Sequence, residues 1–172
     1  MPGHLDESSP LVINTHGLRS SKQVRRIASA PDGLGIAMIG VPPDSPIEFE
    51  VLLEPVGEGV LVTGSARVSL RGSCSRCLEP VEAEASVELQ ELYSYHDIPD
   101  ASRLEGELIN LEPLLRDQVV LEMPFTPLCQ PDCAGLCPDC GANLNRDPGH
   151  GHAPDIDPRW SGLQGFDGFG KE

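Results

Sequence analysis

The chain has 172 residues and a formal net charge of −15. That charge repels phosphate backbones, so broad nucleic-acid binding by the whole surface is not expected, while a local basic patch or a basic protein partner stays open. Apolar residues make up 39% and aromatics 4%, so the core is built mostly from valine, leucine, isoleucine and alanine. With glycine at 18 and proline at 17, many turns are expected.

Met1–Pro10 is polar and acidic and reads as a disordered terminus of residues 1–10. It has neither the basic nor the apolar segment of a signal peptide, and no apolar run approaches a membrane span. A cytoplasmic protein is therefore expected, and there closely spaced cysteines favour metal over disulfides.

Leu11-Val12-Ile13 predicts a short first strand. Arg19, Lys22, Arg25 and Arg26 then fall within eight positions. They read either as a solvated turn or helix face, or as an anchor for RNA or an acidic partner. Gly33–Val41 predicts another short strand, ended by Pro42-Pro43. In the next run Ile47, Phe49, Val51 and Leu53 alternate with Glu48, Glu50 and Glu54, the period of a half-buried strand. Val60, Val62, Ala66, Val68 and Leu70 repeat the pattern, as do Val81, Ala83, Ala85, Val87 and Leu89. The outer face of this last strand is nearly all glutamate, read as a solvated face or an acidic docking surface. Between the two long strands lie Cys74 and Cys77, placed at a β-hairpin tip as a C-x-x-C knuckle.

Tyr93–Gly106 reads as a polar loop. Asn110 can cap a helix running to about Met123, with Leu111, Leu114, Leu115 and Val119 as its apolar stripe and Pro124 as its stop. The expected fold is α+β: an antiparallel meander, one packed helix, and a C-terminal zinc-knuckle lobe. Its organisation is a core over residues 11–126, a Cys/His lobe over 127–153 and a tail over 154–172.

The ligand pattern is Cys74/Cys77, Cys129/Cys133, Cys137/Cys140 and His150/His152. Zinc takes four thiolate or imidazole ligands, so eight donors make two structural Zn2+ sites. The preferred partition puts Cys74, Cys77, Cys129 and Cys133 in one and Cys137, Cys140, His150 and His152 in the other. The second set is local in sequence, so its loop closes at low entropy cost. A single site of Cys74, Cys77, Cys137 and Cys140 is the rival, with both histidines left in a solvated tail. Glycine after Cys140 permits the left-handed turn such a knuckle needs.

The order of motifs is C-x-R-C-L-x-P (Cys74–Pro80), L-x-P-L-L-R (Leu111–Arg116), P-L-C-x-x-x-C-x-G-L-C-P-x-C-G-x-N-L-N (Pro127–Asn145) and D-P-R (Asp157–Arg159). This resembles the YceD family of bacterial large ribosomal RNA subunit accumulation proteins, over roughly residues 10–165. In that family a C-x-C pair often follows the N-L-N segment, and here His150-Gly151-His152 stands in its place. The resemblance implies a non-enzymatic factor in ribosome biogenesis that promotes accumulation or processing of 23S rRNA. The implied partner is a ribosomal protein, a processing factor or rRNA itself. The alternative is a general zinc-ribbon adaptor unconnected with ribosomes. An enzyme is not expected: no H-E-x-x-H, G-x-S-x-G or P-loop occurs, and Asp97, Asp100, Asp155 and Asp157 are scattered. Trp160, the only tryptophan, is read as docked on the domain or as a partner anchor beside Arg19, Lys22, Arg25 and Arg26.

Overall fold

The computed structural model describes residues 5–99, 101–152 and 159. Its centre is three long antiparallel strands made by the three alternating runs: β4 (Pro46–Val56), β5 (Gly59–Ser73) and β6 (Pro80–Ser94). The short Gly57-Glu58 link and the Cys74–Glu79 turn join them, and β5 and β6 pair without a break from Gly59↔Ser94 to Ser73↔Pro80. Ile47, Phe49, Val51, Leu53, Val60, Val62, Val68 and Leu70 are all buried, so period two delivers one apolar face to the core.

Around this meander β2 (Lys22–Ser29) lies outside β4 and β7 (Ser102–Arg103) outside β6, giving the sheet order β2-β4-β5-β6-β7, with β3 (Ile39–Gly40) beside β5. A smaller sheet pairs β1 (Val12–Asn14) with β8 (Leu108–Asn110). Glycine permits the β3 contact: a Cβ at Gly72 would collide with the Met38 carbonyl. The helix α1 (Glu112–Glu122) packs against β6 and buries Leu114, Leu115 and Val119. The Asn110 side chain accepts the Glu112 N–H at 3.0 Å, and Pro124 follows Met123, the extended residue that caps the helix C-terminus. This arrangement is α+β, as expected. No helix among the described residues is long and apolar enough to cross a membrane.

Three local expectations are corrected. The basic segment is neither a turn nor a helix face from Lys22 on, but the edge strand β2 (Lys22–Ser29), paired with β4. Its few apolar residues sufficed because an edge strand needs little burial, and Val24 and Ala28 supply it. Gly33–Val41 is mostly a tight hairpin that buries Leu34, with only Ile39–Gly40 in a strand. Tyr93–Gly106 is not wholly a loop. β6 runs on to Ser94, and β7 (Ser102–Arg103) pairs parallel to its end. Burial anchors this corner: Tyr93 and Leu104 are buried, and the Tyr93 hydroxyl donates to the Asn110 carbonyl at 2.9 Å.

Candidate metal centre

The hairpin of β5 and β6 carries Cys74 and Cys77 in its turn. The Cys74 N–H donates to the Glu79 carbonyl at 2.8 Å, and the Leu78 N–H returns to the Cys74 carbonyl at 2.9 Å. Leu78 is thereby held at φ 60°, a left-handed conformation unusual for a residue with a Cβ. The same turn is built again around Cys137 and Cys140. The Cys137 N–H donates to Ala142 at 2.8 Å, the Gly141 N–H donates to Cys137 at 2.8 Å, and Gly141 lies at φ 75°. One backbone motif thus occurs twice, with glycine in one copy and leucine in the other.

The chain leaving α1 docks on the first knuckle. The Ser75 N–H donates to the Pro127 carbonyl at 2.8 Å, and Arg76 donates from Nη1 to the Cys133 carbonyl at 2.9 Å. Cys129 and Cys133 are thereby carried to Cys74 and Cys77. The Sγ atoms of Cys74 and Cys133 lie 3.7 Å apart, and those of Cys77 and Cys129 3.5 Å apart. A disulfide needs about 2.05 Å, whereas four sulfurs around one zinc ion at about 2.3 Å stand about 3.8 Å apart. All six cysteines are free. Cys74, Cys77 and Cys133 are buried in a small cluster with Val81, Leu128 and Leu136.

The second group is Cys137, Cys140, His150 and His152. His150 Nε2 lies 3.1 Å from Cys140 Sγ and 3.0 Å from His152 Nε2, and the latter is 3.2 Å from Cys140 Sγ. These separations are a few tenths of an ångström below the roughly 3.4–3.6 Å edges of a tetrahedral zinc site. His150 turns its other ring nitrogen, Nδ1, toward Asp147 Oδ2 at 3.8 Å, the side on which a ligating imidazole is oriented by a carboxylate. Cys137 is buried, while Cys140 and His152 are exposed. In each group the four donor atoms lie within 4.8 Å of one another, and either group could hold a metal ion. The rival set of Cys74, Cys77, Cys137 and Cys140 is not one of the groups the fold assembles.

Without a cation the thiols compete. Burial opposes ionisation of Cys74, but the backbone N–H groups of Cys77, Arg76 and Cys129 hold its thiolate and bring its pKa down to about 6. Cys129 is pushed up to about 12, first by its hydrogen bond to Cys77, then by burial and by the Cys133 and Cys74 sulfurs. In the second group the N–H of Cys140, and next that of Asp139, lower Cys137. Four sulfurs this close cannot all ionise alone, and a divalent cation reverses that preference.

Several supporting residues were not singled out by the sequence reading. Asn145 accepts the Ala134 N–H at 2.8 Å and donates from Nδ2 to Cys133 Sγ at 3.3 Å. Glu79 accepts from Asn143 at 3.2 Å and from Arg146 at 2.5 Å, which fastens the second group's loop to the first knuckle. Asn143, Asn145 and Arg76 stand in the motifs, so their positions were visible in the sequence, but the partners they reach were not.

The basic residues do not converge. Strand alternation puts Arg25 on the outer sheet face opposite Glu50, while Lys22 and Arg26 belong to the other face. The Arg26 guanidinium donates to the carbonyls of Val12 at 3.0 Å and Pro10 at 3.2 Å, holding the start of the chain. Arg19 lies in the loop before β2. Trp160, Asp100, Asp155 and Asp157 lie outside the described residues.

Residues 62–167 match the family described as "Large ribosomal RNA subunit accumulation protein YceD". An uncharacterized protein of Mycobacterium tuberculosis is 41% identical over 142 residues, covering 78% of this chain and 68% of that protein. One of Mycobacterium leprae is 34% identical over 138 residues, covering 76% of this chain and 63% of the relative. The "Large ribosomal RNA subunit accumulation protein YCED homolog 1, chloroplastic" of Zea mays is 46% identical over 37 residues, 22% of this chain and 13% of that protein. No solved structure matches. With the match spanning both knuckles and the helix between them, the chain belongs to the YceD family of large ribosomal RNA subunit accumulation proteins.

Proposed function

We propose that this protein is a non-enzymatic, zinc-stabilised factor that promotes accumulation or processing of large-subunit (23S) rRNA in the cytoplasm, through a ribosomal protein, a processing factor or the rRNA. The observation that carries the reading is the family match over residues 62–167, which includes the hairpin, the helix and all eight candidate ligands.

Cys74, Cys77, Cys129 and Cys133 would hold one Zn2+, and Cys137, Cys140, His150 and His152 a second. A bound zinc ion would supply cross-linking charge to the thiolates. Each set contributes four protein donors, which completes a tetrahedron and leaves no position for a substrate water, so the sites are structural. In this organisation residues 11–126 form the core and residues 127–153 a metal lobe stapled to the β5–β6 turn; the tail assigned to residues 154–172 lies, Arg159 apart, outside the described residues. Arg19, Lys22 and Arg25 remain available to an acidic or RNA partner, whereas Arg26 is engaged internally.

The test is depletion of the protein followed by quantification of both rRNAs, with capture of bound components from lysate. Selective loss of 23S rRNA and recovery of large-subunit or processing components support the reading. Equal loss of both subunits' rRNA, or capture of proteins unrelated to ribosomes, turns the account to a general zinc-ribbon adaptor.

A further inference from the structure

Among the described residues the β-sheet ends on an open edge beside the candidate metal centre. β6 runs over fifteen residues, paired along its whole length with β5 on one side. On the other side, among the described residues, only β7 joins it, and only at Tyr93 and Ser94. The stretch from Val81 to Ser86 projects past the covered core: Val87 and Leu89 are buried, but Val81 and Ala85 are half-buried and Ala83 is exposed. Exposed strand edges template pairing with another chain, and proteins ordinarily blunt them with charged side chains, lysine above all, with proline, a bulge or a covering segment. Among the described residues no lysine, proline, bulge or covering segment interrupts β6 between Val81 and Val87, where the strand keeps an unbroken register against β5 and the only charges are glutamates.

Its side chains say which strand would fit. On the outer face Glu82, Glu84 and Glu88 follow one another with only Ser86 between. Arg71 pairs with Glu82 at 3.1 Å, but Glu84 and Glu88 make no ion pair among the described residues. Two copies of this edge repel each other, which disfavours β6-to-β6 pairing while leaving a cationic strand attractive. Nucleic acid is repelled by the same row.

We infer that the Val81–Val87 edge of β6 is a docking site for an extended, lysine- or arginine-rich segment of a partner protein. The segment adds as an extra strand, its backbone paired to β6 and its alternate cationic side chains facing Glu82, Glu84 and Glu88. Main-chain hydrogen bonds supply the pairing, and the glutamates select charge and register. The metal centre contributes position: Cys74 and Cys77 pin the turn in which this edge starts. The assignment deepens the functional reading above and rests on it only for the partner's being a large-subunit or processing component.

The experiment uses the full zinc-loaded chain and a dye-labelled peptide, Thr-Lys-Val-Lys-Val-Lys-Val-Lys-Thr, followed by fluorescence anisotropy and amide hydrogen exchange. Saturable binding is expected, with exchange slowed across Val81–Val87. A peptide of equal charge with proline at the valine positions should bind at least about tenfold more weakly, because proline locks φ near about −65° and holds the peptide out of the extended strand conformation that pairing needs. The variant Glu84→Lys/Glu88→Lys should lose at least about tenfold in affinity with unchanged circular dichroism, both residues being exposed. Equal binding of the proline peptide, no exchange protection on β6, or no binding at all overturns the assignment. So does preferential competition by an RNA oligonucleotide, or peptide-sensitive self-association in sedimentation, which would make a second copy's β2 the occupant. If the peptide docks as described while depletion leaves 23S rRNA unchanged, the edge assignment stands and the ribosomal reading fails. The converse result refutes the edge alone.

Discussion

Replacing Gly141 by alanine isolates what the left-handed turn contributes to the second knuckle. Gly141 lies at φ 75°, and a Cβ added there would meet no heavy atom within 4 Å. The cost is therefore conformational rather than steric, about 1–2 kcal/mol for a left-handed residue. Reduced freedom of the unfolded chain returns roughly 0.4–1 kcal/mol. A net loss of about 0.5–1.5 kcal/mol weakens metal affinity at Cys137, Cys140, His150 and His152 by roughly two- to tenfold, since about 1.4 kcal/mol is a factor of ten. Competition with a coloured zinc chelator reads this directly, one site against the other. The first site should be unaffected, because Leu78 occupies the matching turn at φ 60° and is not touched. Unchanged affinity at both sites, or an equal loss at both, would refute the claim that the two turns are independent copies of one motif.

Asn145→Ala strips the acceptor from the Ala134 N–H and the donor from the Cys133 sulfur, at a cost of about 1–3 kcal/mol, and should speed zinc loss from the first site. Retention matching the wild type in chelator challenge would contradict that. Leu115→Ala, at 1% exposure in the helix stripe, should destabilise the fold by about 2–5 kcal/mol in denaturant melts. In the chelated, reduced protein the joint contribution of Cys74 and Cys129 to stability should be greatest near pH 9. Cys74, depressed from 9 to about 6, contributes stability that is present above 9 and lost as pH falls through 6. Cys129, raised from 9 to about 12, contributes stability that is present below 9 and lost as pH rises through 12. Melting temperatures that stay flat across this range would overturn the sign.

The long strands were legible because each buries one face: at Ile47–Leu53 and Val60–Leu70 a one-residue slip would expose the whole apolar set. The helix was legible for the same reason, through Leu111, Leu114, Leu115 and Val119. What escaped the sequence were elements held by tertiary contacts. β2 has two buried residues and is a strand because β4 offers it an edge. β7 pairs over only two residues, and the corner holds because Tyr93 and Leu104 are buried. In the candidate site, spacing and donor chemistry suggested the two groups of four that the fold assembles. The clips between them, Glu79 to Arg146 and Asn145 to Cys133, span 67 and 12 residues, and no local pattern fixes such long-range partners.

If the two groups of donors are metal sites, one ion staples the C-terminal lobe to the β5–β6 hairpin and a second closes that lobe on itself. Native mass spectrometry of protein purified without added metal tests it most directly, with Cys133→Ala and His152→Ala beside the wild type. Two zinc ions per wild-type chain and one in each variant are expected, each variant losing a different ion. A single ion in the wild type, or none with the cysteines oxidised in pairs, would contradict it.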